Sequence, residues 1–242
     1  MPLLEVRGVN VHFGGNHAVR EVDLDVEAGR ITGLIGPNGA GKTTTFNVIT
    51  GLQEASGRVI LDGEDIGELA PHQRARRGIA RTFQRLEVFG SMTAYENILT
   101  AAEIHRSWAT GTKPDARALA DEVIDRVGIR AVAGDRVDAM PTGLARLVEL
   151  GRALAGGPRV LLLDEPSSGL SESESDELGD LLQALAGDGL GILLVEHDVD
   201  LVMAVCDRIH VLDFGHVLAV GTPTEIRRSE AVQAAYLGTA VA

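Results

Sequence analysis

Cysteine occurs once, at Cys206, so an internal disulfide is excluded. Cys206 is expected to pack a helix rather than to react. No apolar run reaches the roughly 18 residues that a membrane-spanning helix needs, and the sequence opens on no secretory leader, so the chain is expected to stay in a reducing cytosol. Basic residues are scarce: 22 Lys and Arg stand against 35 Asp and Glu. The net charge of −13 argues against a nonspecific nucleic-acid binder, and any attraction for phosphate must be local. Aromatic residues make up 3%, so each aromatic position carries weight in packing or stacking. What remains is 242 residues with 45% hydrophobic content, enough to bury the core of one α/β domain with a smaller subdomain.

The strongest local signal is Gly36 to Thr44, GPNGAGKTT, directly after the apolar run Ile31 to Ile35. The pattern GxxxxGK[ST] between a strand and a helix is a phosphate cradle. Glycines let backbone N–H groups turn toward phosphate oxygens, Lys42 reaches the β and γ phosphates, and Thr43 offers a hydroxyl to Mg²⁺. The helix that follows adds free N–H groups and a positive dipole end, with Phe46, Val48 and Ile49 on its packing side. The motif specifies a nucleotide and leaves the reaction open.

Upstream, Leu3 to Phe13 and Ala18 to Val26 alternate apolar and polar residues around Gly14-Gly15, as half-buried antiparallel strands do. Phe13, at that turn, either stacks on a purine or joins a satellite core. Downstream, Gly57 to Leu61 and Glu64 to Ile66 flank the hairpin signal Asp62-Gly63. The segment Pro71 to Arg85 holds Arg74, Arg76, Arg77, Arg81 and Arg85 with no acidic residue. It reads as a solvated helix face or as a docking surface for an anionic or membrane-bound partner. Gly78 to Phe83 is a short strand ending at Gln84, and Leu86 to Met92 is an apolar, irregular, partner-facing loop. Helical periodicity then begins at Thr93. Ile98, Leu99 and Ala102 mark one helix, Leu119, Val123, Ile124 and Val127 a second, and Leu147, Leu150 and Leu154 a third, with His105 to Asp115 as a polar loop.

Val160 to Leu163 is apolar throughout, hence a strand buried on both faces, and it ends in Asp164-Glu165. Carboxylates there suit Mg²⁺ binding through water by Asp164 and activation of an attacking water by Glu165. After an amphipathic helix carrying Leu178, Leu181, Leu182 and Leu185, the buried strand Ile192 to Val195 leads to Glu196-His197-Asp198. A lone histidine at a strand end reads first as structural, unless a γ-phosphate lies nearby. Ile209 to Leu212 and Val217 to Val220 form a last hairpin around Phe214-Gly215, and a short helical tail ends at Tyr236-Leu237-Gly238.

Taken in this order, Gly36 to Thr43, Gln84, Asp164-Glu165 and His197, with a helical insert between Gln84 and the second carboxylate motif, resemble the ATP-binding subunit of ABC transporters over essentially the whole chain. The resemblance implies a single domain, 1–242, in which 1–84 and 156–242 form a P-loop (RecA-like) core sheet with an N-terminal antiparallel β subdomain. Residues 85–155 form an inserted α-helical subdomain. It implies ATP and Mg²⁺ as ligands. The nucleotide contacts would be Phe13, Ala18, Gly36, Pro37, Asn38, Gly39, Ala40, Gly41, Lys42, Thr43 and Thr44. Thr43, Gln84 and Asp164 would face the metal, and Glu165, His197 and Gln84 would be the catalytic set. Phe13-Gly14-Gly15, Ala80 to Gln84, Tyr95-Glu96-Asn97 and Tyr236-Leu237-Gly238 resemble the importers of branched-chain amino acids and related amides. That branch implies a second ATPase subunit, permease subunits docked near Gln84, a substrate-binding protein, no nucleic acid, and a peripheral place on the cytoplasmic face of the membrane.

The sequence departs from the family at its signature, LSGGQ, where it reads Met140-Pro141-Thr142-Gly143-Leu144. Pro141 supplies neither hydroxyl nor N–H; Thr142 and Gly143 are the residues left to act on a partner's ATP. Ser171 stands where the family has aspartate. The expectation is a complete site of the chain's own and an altered one lent to its partner, which favours a heterodimer over a homodimer. Rival readings are an ABC exporter or lipid-extracting complex, a non-transport ABC protein, and a P-loop kinase or GTPase. Glu165 after Asp164, together with His197, argues against the last.

Overall fold

Strands that are apolar at every position build the centre of the molecule. The computed structural model describes residues 2–109, 113 and 115–237. In it β3 (Ile31–Ile35), β7 (Val160–Asp164) and β8 (Gly191–Val195) are buried along their whole length. With β6 (Ile79–Arg81), β9 (Arg208–Asp213) and β10 (His216–Gly221) they make a six-stranded sheet in the order β10-β9-β3-β8-β7-β6. All neighbours in it are parallel except β9 and β10. A parallel sheet must be covered on both faces, which is why these strands read as continuous apolar runs.

Alternation by two sorts their side chains into separate cores. Val160, Leu162, Leu193 and Leu34 join α1 (Lys42–Thr50) and a four-stranded antiparallel sheet in one cluster. Leu161, Leu163, Ile192 and Leu194 join helices in the other. The antiparallel sheet, ordered β2-β1-β4-β5, comprises β1 (Leu4–Phe13), β2 (Asn16–Val26), β4 (Ser56–Leu61) and β5 (Glu64–Asp65). Each fully buried Leu or Val contributes about 1.5–3 kcal/mol to holding these layers together. The P-loop α/β fold expected from the sequence is the fold observed.

Between β6 and β7 the chain is helical: after α2 (Pro71–Arg76), which precedes β6, come α3 (Ala94–Trp108), α4 (Ala116–Arg126) and α5 (Thr142–Ala155). Thr93 and Glu96 form a capping box that starts α3, satisfying N–H groups the first turn leaves free. This helix runs to Trp108, so His105 to Trp108 belongs to it and not to the expected loop; the ring of Trp108 packs against His105. Residues 110–112 and 114 of that loop lie outside the described residues. After β7 come α6 (Glu172–Gly187), α7 (Val199–Val205), α8 (Pro223–Arg228) and α9 (Glu230–Leu237), which share the core of α3 to α5. Gly238 of the closing motif is outside the described residues.

The arginine segment divides. Arg76 and Arg85 are exposed and Arg77 pairs with Glu64, but Arg74 and Arg81 turn inward, contrary to a wholly solvated or docking face. Arg74 donates to the carbonyls of Val48 (2.6 Å) and Ile49 (3.0 Å), capping the C-terminal turn of α1 with a cation. Cys206 is buried against Gly33, and burial pushes its thiol up to about 12, so it is inert as expected.

His210 on β9 is 4% exposed and neither ring nitrogen has a partner. Burial first, then the nearby Arg208 charge, pushes it down to about 4 from 6.5. The unfolded chain therefore binds the proton that the fold refuses between these values, so stability is complete above 6.5 and falls as pH drops toward 4. Urea unfolding should show about 2 kcal/mol lost to this group between pH 7.5 and pH 5, and His210→Leu should remove that part of the slope. A slope unchanged by the substitution would mean that His210 accepts the proton in the fold.

Candidate functional site

Parallel pairing carries the ends of β3, β8, β7 and β6 to one edge of the sheet. The loops that leave there are the phosphate loop, His197, Asp164-Glu165 and Gln84. In the phosphate loop, Gly36 and Gly41 have φ of 153° and 107°. A Cβ on Gly36 would lie 2.1 Å from the Leu212 carbonyl oxygen, and one on Gly41 2.8 Å from that of Ala18. Only glycine lets the loop sit this close to β9 and β2. Gly215 N–H donates to Ala40 O at 3.1 Å, and Arg20 N–H to Gly215 O at 2.8 Å, which ties loop, hairpin and antiparallel sheet together. Ala18 thus meets the cradle through its backbone.

The cradle fits a polyanion. No side chain caps α1 and its first turn has no acidic residue, so its leading N–H groups are left for a ligand. Lys42 is buried, and its Nζ donates to the carbonyls of Gly36 (2.7 Å) and Pro37 (3.1 Å). Burial lowers its pKa, while Glu165 and Asp164 act in the opposite direction. Asn38, Gly39 and Thr43 are exposed on the cradle, with Thr44 partly buried behind them. Phe13 is 50% exposed at the β1–β2 turn, free to stack and absent from the core.

Glu165 sits at φ 52°, a backbone state that a non-glycine residue adopts at a cost of order 1–3 kcal/mol. That strain points its carboxylate between two loops. Gln84 Nε2 donates to Oε2 at 3.0 Å, and His197 Nε2 lies 2.8 Å from Oε1. The structure therefore gathers the three residues expected to act together. Asp164, 2% exposed, pairs with Arg81 at 2.8 Å. Thr43, Gln84 and Asp164 offer a hydroxyl, an amide and a carboxylate, the hard oxygen donors that Mg²⁺ takes together with substrate phosphates. No group of three or more His, Cys, Asp or Glu is placed to hold a metal among the described residues.

Three side chains that sequence reasoning passed over hold the Gln84 loop to α5. Arg146 donates to Phe83 O (3.0 Å) and Gln84 O (2.7 Å). Glu149 accepts from Glu87 N–H (3.1 Å) and Phe83 N–H (3.4 Å), and pairs with Arg146 at 3.2 Å. Arg152 donates to Glu87 O and stacks on Phe89. Their spacing by three along a leucine-rich helix was the available signal. A fourth, Glu196, is buried and accepts from the N–H groups of Ser167 (2.7 Å) and His197 (3.1 Å), fixing the loops after β7 and β8 to each other. Burial raises its pKa against these bonds.

Thr142 and Gly143 open α5 with Pro141 at the N-cap, one position before the helix proper. A Cβ on Gly143 would lie 2.7 Å from Glu174 Oε1, and Thr142 packs beside Gly169. Among the described residues, no hydrogen bond joins this pair to the Lys42 and Glu165 group. Ser171 caps α6 in a box with Glu174.

Fold and site together define a P-loop ATPase cassette. A family model described as ABC transporter matches residues 19–168, and one described as branched-chain amino acid ATP-binding cassette transporter matches 216–242. The high-affinity branched-chain amino acid transport ATP-binding proteins BraF of Pseudomonas aeruginosa and LivG of Escherichia coli are 40% and 39% identical, each over 99% of both chains. The lipopolysaccharide export system ATP-binding protein LptB of Haemophilus influenzae is 36% identical over 98% of both. A nucleotide-free ATP-binding cassette from an ABC transporter superposes with a TM-score of 0.87 at 27% identity, covering 98% of this chain and 99% of the other. The chain belongs to the ABC transporter family, as one of its ATP-binding, ATP-hydrolysing subunits.

Glu149→Gln keeps the shape but removes the charge that holds two N–H groups and Arg146. Charge-assisted bonds of this kind are worth about 1.5–3 kcal/mol, so turnover in the assembled transporter should fall about tenfold while ATP affinity changes little. Unchanged turnover would show that the Gln84 loop is positioned without Glu149.

Proposed function

We propose that this chain is the ATP-hydrolysing subunit of an importer for branched-chain amino acids or related amides. The observation that carries this is the 40% identity to BraF along the whole chain together with the branched-chain match over 216–242. The export ATPase LptB is also similar over its full length, so the ATPase core by itself does not separate import from export.

In this reading the polyphosphate seats on the first turn of α1, and Lys42 exchanges the carbonyls of Gly36 and Pro37 for phosphate oxygens. Phe13 stacks on adenine. Thr43, Gln84 and Asp164 would hold Mg²⁺, which would supply neutralisation of phosphate charge there. Glu165 orients a water and takes its proton, while His197 moves from the carboxylate to the γ-phosphate. Both contacts on Glu165 must loosen for this, so hydrolysis is coupled to movement of the Gln84 loop. That loop continues into exposed Phe83, Leu86 and Phe89, which with Leu52 and Ile104 offer an apolar docking face for permease subunits. No helix among the described residues is long and apolar enough to cross a membrane. Similarity to ATP-binding subunits of membrane transporters supports a peripheral place on the cytoplasmic face.

A second ATPase subunit closes over the γ-phosphate, and the altered signature favours a partner that differs from this chain. Thr142 supplies the hydroxyl that Pro141 lacks and Gly143 the close backbone approach.

Co-expression with permease subunits and a binding protein of a branched-chain amino acid importer tests the substrate: vesicles should accumulate leucine on ATP, whereas lipid extraction without uptake would assign the chain to an exporter. In that complex Glu165→Gln should bind ATP and lose turnover at this site by at least about a hundredfold. Retained hydrolysis would remove Glu165 from the catalytic role. Thr142→Ala should slow the partner's site about tenfold, and an unchanged rate would end the case for compensation by Thr142.

A further inference from the structure

Arg81 lies in an arginine-rich segment yet is one of the most enclosed charges in the molecule. Its Nη2 donates to Asp164 Oδ2 at 2.8 Å and its Nη1 to Asn47 Oδ1 at 2.6 Å. The guanidinium carbon is 5.3 Å from the ring centroid of Phe46 and 4.8 Å from that of Phe83. The pair with Asp164 is nearly dry, at 6% and 3% side-chain exposure. Asn47 and Phe46 belong to α1, Asp164 to the end of β7, and Phe83 to the approach to Gln84. One side chain therefore touches the phosphate-loop helix, the carboxylate on the metal side and the Gln84 loop.

A guanidinium does not lose its proton in a protein, so Asp164 has a permanent counter-charge. Low dielectric strengthens that pairing and equally strengthens repulsion between Arg81 and any incoming cation. A divalent ion reaching Asp164 thus finds a carboxylate already neutralised, and among the described residues no cluster of three acidic or imidazole ligands helps it. The missing negative charge has one evident source, the phosphates that Lys42 and α1 receive.

We propose that Arg81 is a built-in counter-cation for Asp164 that makes divalent-metal binding at this site conditional on bound nucleotide. The inference rests on the assignment of Asp164 to the metal. Arg81 acts through Asp164 and is a positioning residue; it does not touch the reacting phosphate. Without it the site would load metal before nucleotide, and the carboxylate would be drawn out of the place that the Mg-nucleotide complex needs. A purely structural pair joining β6 to β7 would instead affect stability alone, equally with and without metal.

Mn²⁺ binding to the full chain, followed by the loss of free-ion electron paramagnetic resonance signal, separates these cases. Wild type should bind Mn²⁺ alone at least about a hundredfold more weakly than with a non-hydrolysable ATP analogue, and Arg81→Gln should tighten binding of Mn²⁺ alone by about tenfold or more. Arg81→Lys, which keeps the charge, should stay near wild type. Thermal unfolding should show Mn²⁺ alone raising the midpoint of Arg81→Gln and leaving wild type unmoved. Equal affinity of wild type and Arg81→Gln for Mn²⁺ alone would overturn the proposal, as would strong nucleotide-free binding by wild type should the variant not fold. Asp164→Asn added to Arg81→Gln should abolish the gain. A gain that survives it would put the metal elsewhere and overturn the assignment of Asp164, whereas a failure of Arg81→Gln beside weakened Mn²⁺-analogue binding in Asp164→Asn would overturn the role of Arg81 alone.

Discussion

Parallel pairing of β3, β8, β7 and β6 is the constraint on which the site depends. Strands that run the same way deliver their carboxyl ends to one edge, and the loops leaving that edge hold Lys42, His197, Glu165 and Gln84. The helices and the antiparallel sheet supply the cover that such a sheet requires. Because Leu161 and Leu163 face one core and Val160 and Leu162 the other, β7 cannot shift by one residue without sending each set into the core packed for the other. The positions of Asp164 and Glu165 are fixed by that same register. Rigidity in the sheet is what permits a strained φ at Glu165, since a looser strand end would relax it.

Charge in the site is balanced internally. Lys42 is held by loop carbonyls, Asp164 by Arg81, and Glu165 by Gln84 and His197. Each of these partners is one that a nucleotide and its metal can replace or oppose. A net charge of −13 makes such local compensation necessary if a polyphosphate is to approach at all. The Gln84 loop then joins two tasks, because its side chain touches Glu165 while its backbone is gripped by Arg146, Glu149 and Arg152 on the helix that begins at Thr142 and Gly143. A change at the phosphate end is thereby delivered to α5, which Thr142 and Gly143 open.

Much of this was legible in the residues, and the reason is locality. The phosphate loop is contiguous, and Asp164-Glu165 and His197 each end an apolar run, so a strand and its terminal side chain can be read together. Residues that act across the chain were not legible in that way. Arg81 lies among arginines that suggest a solvated face, and its partner Asp164 is 83 positions away; burial of the pair follows only once β6 and β7 are paired. Glu196 looks like a neighbour of His197 with no task until Ser167 is brought to it. The end of α3 is hidden for a different reason: His105 to Trp108 is polar or bulky and adjoins a Gly/Pro segment, yet His105 Nδ1 reaches Ala155 O at 3.2 Å and anchors the extra turn on α5.

In the proposed cycle the chain's own charges hold the place of the nucleotide and give it up on binding. An experimental structure of the Glu165→Gln complex with Mg²⁺ and ATP tests it most directly. Lys42 Nζ is predicted to have left the carbonyls of Gly36 and Pro37 for β- and γ-phosphate oxygens, with His197 turned from residue 165 to the γ-phosphate. Lys42 still on its loop carbonyls, with the phosphates seated elsewhere, would mean that these contacts do not hold the nucleotide's place.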